Sequence, residues 1–204
     1  MYKNLISNSG FELYDSNGLV DWICDTTGLI DPDLLICPIR NTSQKHTDLA
    51  SAYLNVPGTL DRSTGHIQQH VDVLPNTEYI FSSWFKVEGF GGSIGNIHPV
   101  INLTELDFNY QSIGFYHPEH IRYYSNTKDM LINIPRPLSF DWTYIDGLIR
   151  AETGARSKSF ITSPWTYHIV ISIGAWQSYG KIWFDDLDLH STCELSKCDF
   201  TITQ

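Results

Sequence analysis

Two acidic stretches near opposite ends of the chain hold the residues best placed to do chemistry. Asn4-Leu5-Ile6-Ser7-Asn8-Ser9-Gly10-Phe11-Glu12 and Gly180-Lys181-Ile182-Trp183-Phe184-Asp185-Asp186-Leu187-Asp188-Leu189 each read as a β-strand carrying carboxylates inside or beside an apolar run. Like-charged carboxylates brought close destabilise a fold unless a cation or a proton offsets them, and a calcium ion is the simplest remedy. Period-two alternation places Trp183, Asp185, Leu187 and Leu189 on one face, so Asp185 points among apolar side chains and demands a partner. Asp186 then points the other way, into solvent. Hydrogen bonds from the backbone, or pairing with Lys or Arg, would satisfy Glu12 and Asp185 without a metal.

A second kind of chemistry is suggested by aromatic rings. In Tyr79 to Val87, one face carries Tyr79, Phe81, Ser83, Phe85 and Val87 and belongs to a core, while Trp84 and Lys86 share the other. An indole stacks on the C–H surface of a sugar ring and an ammonium donates hydrogen bonds to its hydroxyls, so this pair suits a glycan; capping of a second sheet is the alternative. Tyr167, Ile169, Ile171 and Ile173 form another core face, after which Trp176 and Tyr179 fall in a turn, free to grip a ligand edge or to fold back on the rim.

Catalytic signatures are weak. His117-Pro118-Glu119-His120 lacks the i, i+4 spacing that puts two imidazoles on one zinc and reads as a polar loop. Gly89 to Gly95 has neither phosphate-loop spacing, and no GxSxG elbow occurs. Glu105, Asp107 and Glu119 offer paired carboxylates for glycoside hydrolysis, but any acidic sandwich does, so no enzyme is expected. Asn41 and Asn102 head glycosylation sequons that matter only in a eukaryotic secretory route.

The elements that must position these residues are strands. The 204 residues, 42% hydrophobic and 13% aromatic, fill one two-sheet core and leave rings over for a surface. Alternation recurs near residues 5–8, 21–24, 52–56, 66–73, 78–87, 98–103, 121–124, 142–150, 167–173 and 181–189, separated by turn residues such as Asn17-Gly18 and Pro57-Gly58. A net charge of −10, with no basic stripe, excludes a nucleic-acid partner and suits a neutral polysaccharide, a divalent cation or a basic protein. No apolar stretch approaches the roughly 20 residues of a spanning helix, so membrane insertion is not expected. Cys24, Cys37, Cys193 and Cys198 lack zinc spacing and read as free thiols, with Cys193 and Cys198 the pair that would close a small loop in an oxidising compartment.

The two acidic segments, together with Leu74 to Val87 and Trp142 to Leu148, resemble the signatures of the carbohydrate-binding modules of the family 4, 9 and 22 type, within the galactose-binding-like jelly-roll group. The resemblance spans Asn4 to Leu189, although the middle, from Gly89 to Phe140, departs in length. It implies an all-β jelly roll of two antiparallel sheets over residues 1–189, with residues 190–204 as a tail that supplies an extra strand or an assembly contact. It also implies a structural calcium held by Glu12 and Asp185, with backbone carbonyls from Gly10 and from the Gln44 to Asp48 loop. The function so implied is non-catalytic glycan binding through Trp84, Lys86, Trp176 and Tyr179. The competing expectation is a structural jelly roll on a virus or phage particle, with the tail available for oligomer contacts. Met1 to Asn4 run into the first strand without an apolar signal region, which fits either a removed signal or a virion protein, hence an extracellular or virion-surface location.

Overall fold

Alternating apolar and polar residues fold here into strands throughout. The computed structural model describes residues 2–25, 36–56, 65–91, 98–118, 138–146, 148–150, 156–176 and 179–192, among which there is no helix. In chain order the strands are β1 (Tyr14–Asp15), β2 (Gly18–Leu19), β3 (Ile23–Asp25), β4 (Ile39–Asn41), β5 (Ser51–Val56), β6 (Gly65–Asp72), β7 (Glu78–Gly91), β8 (His98–Leu106), β9 (Ser112–Pro118), β10 (Leu138–Ile145), β11 (Leu148–Arg150), β12 (Arg156–Ser157), β13 (Ser159–Ile161), β14 (His168–Trp176) and β15 (Tyr179–Ser191). β1 and β2 form a small hairpin. One antiparallel sheet has the order β10-β7-β15-β5-β4, with β13 also paired to β7; a second has the order β12-β11-β9-β8-β14-β6-β3.

Facing side chains of the two sheets make the core. The first sheet contributes Ala52, Leu54, Phe81, Phe85, Ile182, Phe184, Leu187 and Leu189, and the second Ile67, Val71, Ile101, Leu103, Ile169, Ile171 and Ile173. Burial of each such side chain stabilises by about 1.5–3 kcal/mol. This is the two-sheet jelly roll expected of the sequence.

The ends of the chain meet in one seam. Leu5 N donates to Leu189 O (2.8 Å) and Leu187 N to Ser9 O (3.1 Å). The Asn4 amide acts as a piece of strand, its Nδ2 donating to Leu187 O (2.8 Å) and its Oδ1 accepting from Leu189 N (3.0 Å). β15 itself continues through Ser191, two residues past the expected boundary at Leu189.

Several expectations change in detail. The stretch 142–150 is split between β10 and β11, which belong to different sheets. His117 and Pro118 end a strand, β9, instead of lying in a loop, while Glu119 and His120 fall outside the described residues, as does the stretch 121–124. Tyr167 is exposed rather than core. The break after Ile173 is not a hairpin: β14 runs on to Trp176 in the second sheet and β15 starts at Tyr179 in the first, so the chain there crosses the sandwich. Cys24 and Cys37 are not free thiols but a disulfide, with Cα atoms 5.8 Å apart, tying the edge strand β3 of one sheet to the residues that lead into the edge strand β4 of the other. Cys193 and Cys198 lie outside the described residues.

Candidate functional site

The acidic residues at the two ends converge. A Cβ placed on Gly10 would lie 3.9 Å from Asp185 Oδ1 and 3.9 Å from Glu12 Oε1, so the glycine leaves open the space between the two carboxylates. Both acids stand next to strained backbone: Phe11, before Glu12, has φ 58° and Asp186, after Asp185, has φ 48°. Residues with a Cβ adopt this left-handed region at a cost of about 1–3 kcal/mol, and a bulky one such as Phe11 rarely does. The Phe11 ring, buried against Trp22 with centroids 5.3 Å apart, holds that turn in place.

The conformation at Asp186 belongs to a β-bulge, visible as a shift of the β15–β7 register between Asp185 and Asp188. The extra residue resets the alternation. Ile182, Phe184, Leu187 and Leu189 therefore all reach the core, whereas Trp183 and Asp185 share the opposite face. Asp185 does not, as simple alternation predicts, point the same way as Leu187 and Leu189. Nor is Asp186 free in solvent: its Oδ2 lies 2.6 Å from His46 Nδ1, and its Oδ1 accepts from Thr47 Oγ1 at 2.5 Å.

The loop between β4 and β5 wraps this corner with amide donors. Asp185 Oδ2 accepts from His46 N (2.8 Å) and Thr47 N (3.3 Å), and its Oδ1 from Asp186 N (2.9 Å). Glu12 Oε1 accepts from Leu49 N (2.9 Å) and Ala50 N (3.0 Å). The expected partners from this loop were carbonyls; those that meet the carboxylates are N–H groups, and the Gln44 carbonyl accepts from Ser51 Oγ (2.6 Å). Two features still fit a hard cation. Glu12 Oε2 is buried without a hydrogen-bond partner and forms only a long ion pair, at 3.8 Å, with Arg40 Nη2. Asp185 is wholly buried, and burial, reinforced by the neighbouring Asp186 carboxylate, pushes its pKa up to about 6 against the pull of the amides. No cluster of three or more His, Cys, Asp or Glu side chains that could hold a metal occurs among the described residues, so an ion here would draw most of its ligands from the backbone or water.

Rings collect on the outer face of the first sheet. The register sets Trp183 between Tyr53 on β5 and Lys86 on β7, and Trp84 between Asp185 on β15 and Tyr144 on β10. Tyr53 stacks on Trp183 at 5.0 Å, and Trp183 is 3% exposed with its Nε1 unpaired. Trp84 lies on the face foreseen for it, half-buried among other rings. The His46 imidazole stacks on it (3.8 Å, 15°), and Tyr144 packs against it at 5.2 Å. Trp142 meets the edge of His46 at 5.8 Å. Lys86 Nζ donates to Asp141 Oδ1 at 3.0 Å. Of these rings Tyr144 is the most open, 45% exposed, with half-buried Trp84 and Trp142 near it and half-buried Tyr53 on the far side of β7 and β15. Sequence reasoning missed Trp142, Tyr144 and Tyr53, because only the β10-β7-β15-β5 order sets them beside Trp84 and Trp183. Tyr179 is half-buried at the start of β15; Trp176 closes β14, and its side chain lies outside the described residues.

The carboxylates considered for hydrolysis do other work. Glu105 is 1% exposed at the end of the core, accepting from Ser163 N (3.1 Å) and from Thr166 Oγ1. Asp107 closes a turn by accepting from Asn109 N (2.8 Å) and Gln111 N (2.9 Å), and Glu119 lies outside the described residues.

No family profile and no curated protein sequence matches the chain. Solved structures do. The CBM22-1 xylan-binding domain of Paenibacillus barcinonensis Xyn10C is similar at 9% identity and TM-score 0.52, over 95% of this chain and 97% of that one. The tandem of two such domains from the same protein matches at 10% identity and TM-score 0.54, covering all of this chain and 49% of the tandem. The enzymatically active domain of tailspike protein 4 of bacteriophage CBA120 matches at 14% identity and TM-score 0.54, over 92% of this chain, which spans only 21% of the tailspike chain. The fold is thus that of the galactose-binding-like carbohydrate-binding modules.

Proposed function

We propose that this domain binds a glycan or polysaccharide without transforming it, laying the sugar chain across the outer face of the first sheet. The observation that carries the reading is the gathering of Tyr53, Trp84, Trp142, Tyr144 and Trp183 on that face, with Lys86 and Asp141 supplying a donor and an acceptor between them. Tyr144 and Trp142 stack on the sugar; Trp84, gripped by His46, holds Tyr144 in position. Each stacked ring contributes about 0.5–1.5 kcal/mol beyond area burial, so a single domain binds modestly and gains from display in several copies. A calcium ion at Glu12 and Asp185 is structural in this reading, stapling the first segment to the last strand. The Cys24–Cys37 disulfide supports an extracellular or virion-surface location, since such bonds persist in oxidising surroundings.

The test is a screen against neutral plant and bacterial polysaccharides followed by titration of the best hit. Tyr144→Ala and Trp142→Ala each weaken binding about 5- to 10-fold, equivalent to about 1–1.4 kcal/mol, with unchanged melting temperature. Absence of any hit, or variants that bind like the parent, would refute the reading. Likeness to part of a phage tailspike favours a second one, a jelly roll built into a virus or phage particle and possessing little affinity for sugars of its own. Assembly into stable oligomers with no glycan hits would favour it.

A further inference from the structure

The second sheet carries a groove that the glycan face does not use. β3 pairs with β6 only from His66 to Gln68, so one side of β6 from Gln69 to Asp72 has no strand partner among the described residues. The N-terminal segment stands off from that edge and forms the far wall. Gln69, nearly buried, fixes the spacing: its Nε2 donates to Ser7 O (3.0 Å) and Asp21 O (3.0 Å), and its Oε1 accepts from Ser7 N (2.8 Å). The cleft is open to solvent, with a volume of about 560 Å³, Leu5 and Val71 among its apolar lining and Lys3, Asp21, His70 and Asp72 as polar groups. That size falls within the range of pockets for small ligands.

Beyond His70 stands an exposed aromatic ring packed against two histidines. Tyr110 stacks on His168 (4.4 Å, 9°) and approaches His70 at 6.1 Å, while His168 Nδ1 lies 2.9 Å from Asp72 Oδ1. His70 and Asp72 thus belong both to the groove and to the support of the ring. Asp21, on the wall, has φ 67°, a left-handed turn of the kind that recurs at ligand sites.

We infer that this groove is a second saccharide site, for a neutral mono- or disaccharide unit. One apolar sugar face stacks on Tyr110, and the hydroxyls reach Asp72, His70, Asp21 and Lys3. Carboxylates, imidazole and ammonium around one flat ring suit a ligand that donates and accepts at every carbon. An extended peptide is disfavoured, because the open edge is only four residues long. The ligand class rests on the glycan reading; the site does not share its residues.

Amide chemical-shift titrations with xylobiose, cellobiose and β-1,4-galactobiose test this. The probes are the parent domain, Tyr110→Ala, Asp72→Asn and the double variant Trp142→Ala/Tyr144→Ala. At least one disaccharide is expected to shift the amides of His70, Asp72 and Tyr110, with a Kd kept within 2-fold in the double variant. Tyr110→Ala should raise it at least 5-fold, and Asp72→Asn, which keeps the fold, at least 3-fold. Shifts confined to the first sheet overturn this site and leave the glycan reading standing. Shifts at neither site overturn both. A response of the groove to an extended peptide, with none to any disaccharide, also overturns it.

Discussion

If calcium occupies the proposed site at Glu12 and Asp185, removing it should cost this domain several degrees of thermal stability. At that corner Glu12 Oε2 is buried with no hydrogen bond, its ion pair to Arg40 stretched to 3.8 Å, and Asp185 is wholly enclosed beside Asp186. Packing these carboxylates together without a cation is unfavourable, and a hard ion between them removes that penalty only in the folded state, because the two acids are 173 positions apart in an unfolded chain. An ion held at about 100 times its dissociation constant stabilises by about 2.7 kcal/mol. For a domain of this length that corresponds to about 5–10 °C in Tm. The assay is a pair of melts at pH 7, one in excess calcium and one in chelator, repeated on Asp185→Asn. The parent should melt about 5–10 °C lower in chelator. The variant should show no calcium response and should lose about 1–3 kcal/mol outright, because an amide cannot accept all the N–H groups that Asp185 now accepts. Identical melts of the parent in the two conditions, with no calcium binding by calorimetry, would refute the staple and leave Arg40 and the loop amides as the whole answer to the charge.

Other perturbations read other parts of the structure. Trp84→Ala should both abolish glycan binding and lower stability by about 1–3 kcal/mol, since the indole is packed between His46 and Tyr144; chemical denaturation of the variant checks this. Reduction of the Cys24–Cys37 disulfide, which closes a short loop between residues 13 positions apart, should cost about 3 kcal/mol, read as a lower midpoint in guanidinium with reductant present. Gly174→Ala should unfold the domain or yield insoluble protein, because the added Cβ would lie 2.0 Å from Gly65 O and 2.6 Å from His66 Cα, both main-chain atoms of the adjacent strand; expression and circular dichroism report it.

Much of the architecture was legible because burial on one face writes itself into a strand with period two. Tyr79, Phe81, Phe85 and Val87 are core as alternation demands, and so are Ile169, Ile171 and Ile173. The reading failed where one residue broke the period. At Asp185 and Asp186 the bulge turns two successive side chains toward the loop of His46 and Thr47, and no pattern of residue types announces it. The pairing of Gly10, Glu12 and Asp185 was accessible only through family resemblance, since nothing local links residues so distant. The disulfide was missed for a similar reason: spacing alone does not bring Cys24 and Cys37 together, whereas the meeting of two sheet edges does. Nothing in the sequence around His46 marks it. Its role against Trp84 depends on where the β4–β5 loop lies, which sequence periodicity does not encode.

The seam in which Asn4 bridges Leu187 and Leu189 places entry and exit of the domain at one corner. Residues 2–5 and 187–190 lie side by side there, the Tyr2 ring stacked on His190 at 5.3 Å. Force that parts the first segment from β15 would therefore meet the Asn4 amide first, then the Leu187–Ser9 bond, and the acid pair of Glu12 and Asp185 only after these.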